Sequence, residues 1–166
     1  MYCLYPAGIL GSKGRQPKRA GLLMVRILVV DDRPEIRTSV REYIETQPGW
    51  EVCGEGADGE QAVEAASTLQ PNVIILDVHM QRITGYDAAR QILKTSPDIL
   101  ILMLSLHDDA RHAEAARDCG AHGFLAKCDA DEFLIPAIST LLRGELYFPQ
   151  LVTDELLRDG LIKKLK

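Results

Sequence analysis

The sequence predicts an α/β protein: a doubly wound, five-stranded parallel sheet with helices on both faces. Two observations lead there. Short, nearly continuous apolar runs recur between residues 24 and 145, and segments with helical spacing of apolar residues alternate with them. Strands that are apolar on both sides need cover on both faces, and alternating strand and helix supplies it through parallel crossovers. A third observation concerns position: each of the most apolar runs stops at a polar residue, where ligands of such sheets gather.

Val25 to Val30, VRILVV, is the first strand, ending at Asp31 and Asp32. Asp32 is a cap candidate, Pro34 suits a first turn, and Glu35 lies near the positive helix end. Ile36, Val40, Tyr43 and Ile44 then repeat at helical spacing as far as Pro48 and Gly49. Trp50 to Glu55 is the second strand, and Gly59 to Leu69 the second helix, with Ala62, Val63, Ala66 and Leu69 on one face. Asn72 to Leu76 is the third strand, ending at Asp77, and Tyr86 to Thr95 is the third helix, closed by Pro97. Ile99 to Leu104 ends at Ser105, and Asp109 to Cys119 is an alanine-rich helix stopped by Gly120. Its Ala113, Ala115 and Ala116 suit close packing of helix on sheet. Gly123 to Ala126 is the fifth strand, ending at Lys127, and Asp131 to Arg143 is the fifth helix. The first, third and fourth strands, being the most continuously apolar, are expected at the centre.

A chain of 166 residues holds one ordinary domain with some length to spare, and 46% apolar residues permit a real core. Charge is uneven: residues 1–23 carry four bases and no acid, 24–145 carry eleven bases against 21 acids, and 146–166 four against three. The acidic body argues against a surface devoted to nucleic acid or anionic lipid. The expected organisation is a flexible basic arm over 1–23, a folded domain over 24–145, and a linker or short helix over 146–166. Met24, where the texture changes, is a plausible translation start. Cys3, Cys53, Cys119 and Cys128 show no ligand-like spacing and read as unpaired thiols. For the same reason zinc has little support, because no histidine pairs with a cysteine in a finger pattern. No run reaches the ~18 apolar residues of a membrane span, and the first residues do not resemble a secretory signal, so a cytoplasmic location without membrane contact is expected.

The strand ends carry the chemistry. Asp31 and Asp32 follow the first strand, Asp77 the third, Ser105 the fourth and Lys127 the fifth, so three carboxylates, a hydroxyl and an ammonium should meet at one sheet edge. Taken singly, each aspartate reads as a cap or turn former, Ser105 as a turn hydroxyl and Lys127 as a solvated lysine. Their joint placement at four strand ends is what departs from that reading. Crowded carboxylates repel, and a hard divalent ion such as Mg2+ relieves them while leaving room for phosphate oxygens. Lys127 could neutralise a phosphoryl oxygen, and the set suits phosphoryl transfer to a carboxylate.

These residues stand in ILVVDDRPEIR, VIILDVHMQRITGYD, LMLSLHDD and CGAHGFLAKCDADEFLIPAI, and with them the chain resembles the receiver (CheY-like) domain of two-component response regulators over about Val25 to Arg143. The resemblance implies a flavodoxin-like fold and a phosphorelay switch. Asp77 would be phosphorylated. Asp31, Asp32 and Asp77, with the main-chain carbonyl of His79, would hold Mg2+. Ser105 and Lys127 would contact the phosphoryl group, and Ser105 and Phe124 would form the switch pair. It further implies a sensor histidine kinase or phosphotransfer protein as partner, and a possible homodimer through the fourth helix, fifth strand and fifth helix. The stretch from Gly120 to Gln150 resembles the LuxR/NarL-type subgroup, whose members usually continue into a helix-turn-helix. The ~23 residues after Arg143 are too few for one, so direct DNA binding by this chain alone is not expected.

Two departures stand out. Gln81 replaces the usual proline four residues after the acceptor, implying a less rigid loop. Leu106 replaces a small residue after the hydroxyl, where its side chain is expected to crowd the phosphoryl pocket. That crowding motivates an alternative, a phosphorylation-independent interaction module; a phosphate-releasing hydrolase is weaker, with no lid or substrate domain in view. His79 and His107 lie where they could influence water access to an acyl phosphate, and His112 and His122 read as surface or helix-end residues.

Overall fold

The computed structural model describes residues 24–149. The basic arm expected over 1–23 and the helix expected after Leu151 lie outside them. The elements run β1 (Val25–Val30), α1 (Pro34–Glu45), β2 (Trp50–Gly56), α2 (Gly59–Leu69), β3 (Val73–Asp77), α3 (Gly85–Thr95), β4 (Leu100–Ser105), α4 (Ala110–Asp118), β5 (Gly123–Ala126) and α5 (Ala130–Leu142), with a 3-10 turn at Lys127–Asp129. The five strands form one sheet in the order β2-β1-β3-β4-β5, every pair parallel. The three strands expected at the centre are central.

Strand alternation divides the core into two layers. Leu28, Val30, Ile74, Leu76, Ile101, Met103 and Phe124 face one side, beneath Ala62 and Ala66 of α2, Ala88, Ala89 and Ile92 of α3, and Ala113 and Ala116 of α4. Ile27, Val29, Ile75, Leu102, Leu104 and Leu125 face the other, beneath Val40 and Ile44 of α1 and Leu134, Ala137, Ile138 and Leu141 of α5. Small residues on α2, α3 and α4 let those helices sit close to the sheet. Of the three alanines read from the sequence as packing residues, Ala113 and Ala116 are fully buried and Ala115 is only partly so.

Helix starts follow local chemistry with one correction. Asp58, Thr84 and Asp109 cap α2, α3 and α4, each side chain accepting a main-chain N–H three residues on. The expected cap of α1, Asp32, does not cap it. Arg33 holds that position without a side-chain hydrogen bond, and Asp31 Oδ1 accepts from the Arg33 N–H at 3.0 Å. Pro34, which has no N–H to satisfy, begins the helix. At the other end of α4, Gly120 at φ 90° turns the chain. The Gly120 and Ala121 amides then return to the Arg117 and Ala116 carbonyls, which is the Schellman arrangement.

After α5 the chain turns back. Tyr147 makes a parallel bridge to Gly123, with the Phe124 N–H donating to Tyr147 O at 2.8 Å and the Tyr147 N–H to His122 O at 3.0 Å. Phe148 is 8% exposed and joins the core beneath α2–α4. The packed body therefore continues beyond Glu145. No helix among the described residues is long and apolar enough to cross a membrane.

Candidate functional site

The winding reverses between β1 and β3: the chain steps from β1 outward to β2, then returns to build β3, β4 and β5 on the opposite side. In an open parallel sheet the carboxyl ends beside such a reversal form a crevice. Register fills it. Val30 pairs with Leu76, so Asp31 follows on beside Asp77, and Ser105 pairs with Ala126, the residue before Lys127.

Asp31 and Asp77 are buried, at 2% and 3% exposed, while Asp32 is exposed. Carboxylate oxygens of all three lie within 4.8 Å of one another. Lys127 enters from β5 with its side chain 9% exposed, its Nζ 2.5 Å from Asp31 Oδ2 and 2.9 Å from Asp77 Oδ1. A solvated surface lysine would do neither. Burial pushes the Asp77 carboxyl above its ordinary value; hydrogen bonding and charge from Lys127 pull it back, the Asp31 charge adds to the rise, and an N–H from His79 opposes it. Three carboxylates face the Lys127 ammonium and, 3.9 Å from Asp31 Oδ1, the partly exposed Arg33 guanidinium, which still leaves an excess of negative charge in a partly dry site. The donors are all oxygen and two are buried, a set that fits a hard divalent cation such as Mg2+.

The loop after β3 folds tightly back onto that strand. Gly85 N–H donates to Val78 O at 3.0 Å, and a Cβ on Gly85 would overlap the Asp77 carbonyl, so glycine alone permits this approach. Gln81 O accepts from the Ile83 N–H at 2.9 Å, and Arg82 sits in the left-handed region at φ 67°. A cavity of about 220 Å3 lined by Asp32, Ala57, Asp58, Gln81 and Arg82 opens beside the acidic group.

Ser105 is fully buried, and its Oγ accepts from the His107 N–H at 3.0 Å. Leu106, the next residue along the chain, is 63% exposed, so its side chain lies outside the core. Phe124 is fully buried opposite Met103, in the layer beneath α4.

The histidines differ most from the sequence reading. His79, His107 and His112, unrelated by spacing, converge with ring nitrogens within 4.8 Å of one another. Their cue was that His79 and His107 each stand two residues past a strand-end polar group, Asp77 and Ser105. His122, expected at the surface, is half-buried, and its Nδ1 accepts the Ile101 N–H at 3.1 Å. Among the described residues Cys53, Cys119 and Cys128 are free thiols.

The family model described as the response regulator receiver domain matches residues 27–139. The chain belongs to the response regulator receiver family. This receiver is 35% identical over 136 residues to the transcriptional regulatory protein DegU of Brevibacillus brevis, covering 81% of the chain and 57% of DegU. It thus spans little more than half the length of that relative. Among solved structures it resembles a LuxR-family two-component response regulator from Aurantimonas sp. SI85-9A1, with a TM-score of 0.74 and 29% identity over 82% of this chain and 98% of that one. It also resembles the signal receiver domain of the putative response regulator NarL from Mycobacterium tuberculosis, with a TM-score of 0.69 and 29% identity over 73% and 98%. A receiver fold with acidic and histidine clusters at the strand ends agrees with a phosphorylation switch typical of response regulators.

Proposed function

We propose that Asp77 accepts a phosphoryl group from a phosphohistidine on a partner sensor kinase or phosphotransfer protein. A carboxylate oxygen of Asp77 forms the new P–O bond as the P–N bond breaks, and the imidazole leaves with a proton from solvent. One observation carries this reading: the Lys127 ammonium bridging the buried carboxylates of Asp31 and Asp77 at the sheet reversal. That ammonium neutralises the acceptor before transfer and lies next to the oxygens that gain charge during it. Asp31, Asp32 and Asp77, with the main-chain carbonyl of His79, would hold Mg2+, which when bound offsets negative charge on the carboxylates and the transferring oxygens. Resetting is attack of water on phosphorus, releasing phosphate and regenerating the Asp77 carboxylate.

Switching follows from Ser105 and Phe124. Ser105 Oγ, now engaged by the His107 N–H, would turn toward the phosphoryl group, and Phe124 would report that shift to α4. The surface of α4, β5 and α5 would then change its affinity for a partner, including a second copy of the chain. Direct DNA contact by the chain itself forms no part of this reading.

Intact-mass measurement after incubation with a small acyl-phosphate donor and Mg2+ tests the assignment. Wild type should gain one phosphoryl group that is lost in base, and Asp77→Asn should gain none. A full adduct on Asp77→Asn would place the chemistry elsewhere.

A further inference from the structure

Beside the carboxylates lies a group of different chemistry. His79 comes from the β3–α3 loop, His107 from the β4–α4 loop and His112 from the first turn of α4. The ring centroids of His79 lie 5.3 Å from His107 and 5.8 Å from His112, and those of His107 and His112 are 4.7 Å apart and nearly parallel, at 14°. Three imidazoles thus meet at the surface, two exposed and one partly so.

We propose that His79, His107 and His112 form a second metal site, for a transition ion of the zinc class, separate from the carboxylate site. Imidazole suits such ions, whereas Mg2+ prefers oxygen. Distances allow it. Two nitrogens on a tetrahedral zinc, each at ~2.0–2.1 Å, stand roughly 3.3 Å apart, and these nitrogens already lie within 4.8 Å. Closing that gap takes ring rotation about χ2, a soft torsion, which also opens the parallel pairing of His107 and His112.

A second observation points the same way. Asp109 Oδ1 lies 2.9 Å from His112 Nδ1 while also accepting the His112 N–H at 3.1 Å. The carboxylate thereby holds a proton on Nδ1 and leaves the Nε2 lone pair for an ion, the supporting arrangement common behind metal-bound histidines. Three ligands leave a fourth position for water. An ion here would pin the loop after Asp77 to the loop after Ser105 and the start of α4. The site stands whether or not Asp77 is phosphorylated.

The test is a Zn2+ titration by calorimetry on the untagged full chain, with millimolar Mg2+ present to occupy the carboxylates, and a parallel Co2+ titration followed by visible absorption. Wild type should bind one equivalent, and His107→Gln and His112→Gln should each weaken it at least tenfold. Asp32→Asn and His122→Gln should bind as wild type does. Cobalt should give the bands of a nitrogen and oxygen site. Binding that survives the paired His107→Gln, His112→Gln substitution, loss on Asp32→Asn instead, thiolate charge-transfer absorption from a cysteine, or no binding to wild type would each overturn the proposal.

Discussion

Leu106 and His122 show how a single residue's role turns on what surrounds it. Leu106 stands beside a buried serine in the chain yet is 63% exposed. Its truncation should therefore not carry the cost of a core leucine. Leu106→Ala is expected to leave the urea midpoint within about 0.5 kcal/mol of wild type, and phosphorylation of Asp77 by a small donor within twofold. His122 is the reverse case, an ordinary polar residue in the sequence that accepts the Ile101 N–H in the structure. A certain donor requires a bare nitrogen, so the ring is neutral in the fold, and burial holds its pKa below the ordinary 6.5. The sign follows. As pH falls through the ordinary value the unfolded chain takes up a proton that the folded chain resists, so this stabilisation is full above it and declines below it. Asn in its place keeps an acceptor without the titration. Urea melts at about pH 7.5 and about pH 5.5 should show wild type losing more stability than His122→Asn; equal losses would remove His122 from the account. Neither environment was legible in the sequence, because each depends on where a loop meets a neighbouring strand. Asp77 and Lys127 were legible because they sit at strand ends, whose direction the apolar runs define.

At the scale of elements, the strands were readable almost to the residue, since β-branched runs bounded by polar turns admit few alternatives. Helix α5 is the instructive case. Pro136 lies inside it, where its ring removes a hydrogen bond and commonly costs about 3 kcal/mol. Burial of Leu134, Ala137, Ile138 and Leu141 on the sheet keeps the helix continuous, so tertiary packing overrides local propensity. The Pro136 side chain is exposed, and Pro136→Ala leaves no cavity. The variant is expected to gain about 1–2 kcal/mol in chemical denaturation, the regained hydrogen bond outweighing the extra freedom of its unfolded chain. A loss of stability would show that the proline's fixed φ matters more to α5 than its missing donor. The start of α1 was less legible: the sequence put its cap at Asp32, and only the turn geometry reveals that Asp31 accepts from Arg33.

For the whole molecule, the order β2-β1-β3-β4-β5 gathers Asp31, Asp32, Asp77, Ser105 and Lys127 at the carboxyl end of the sheet. The acidic cluster was anticipated because each member terminates a strand. The histidine cluster was not, since His79, His107 and His112 belong to loops and a helix start, whose paths periodicity does not describe. The two groups differ in chemistry, one of oxygen donors with two of its three members buried and one of nitrogen donors with none buried.

The bridge from Tyr147 to Gly123 has a consequence for self-association. β5 closes one side of the sheet, and an unpaired outer strand offers its main-chain amides to any other chain with the same spacing. In this protein Phe124 N–H and His122 O are already taken by Tyr147, and Phe148 anchors that cover in the core. The residues after α5 thus act as a guard against intermolecular strand addition. A chain ending at Glu145 should retain the acidic pocket yet show concentration-dependent light scattering during mild heating, whereas one ending at Pro149 should stay clear. Identical scattering from both would mean that β5, four residues long, is too short to recruit a neighbour unaided.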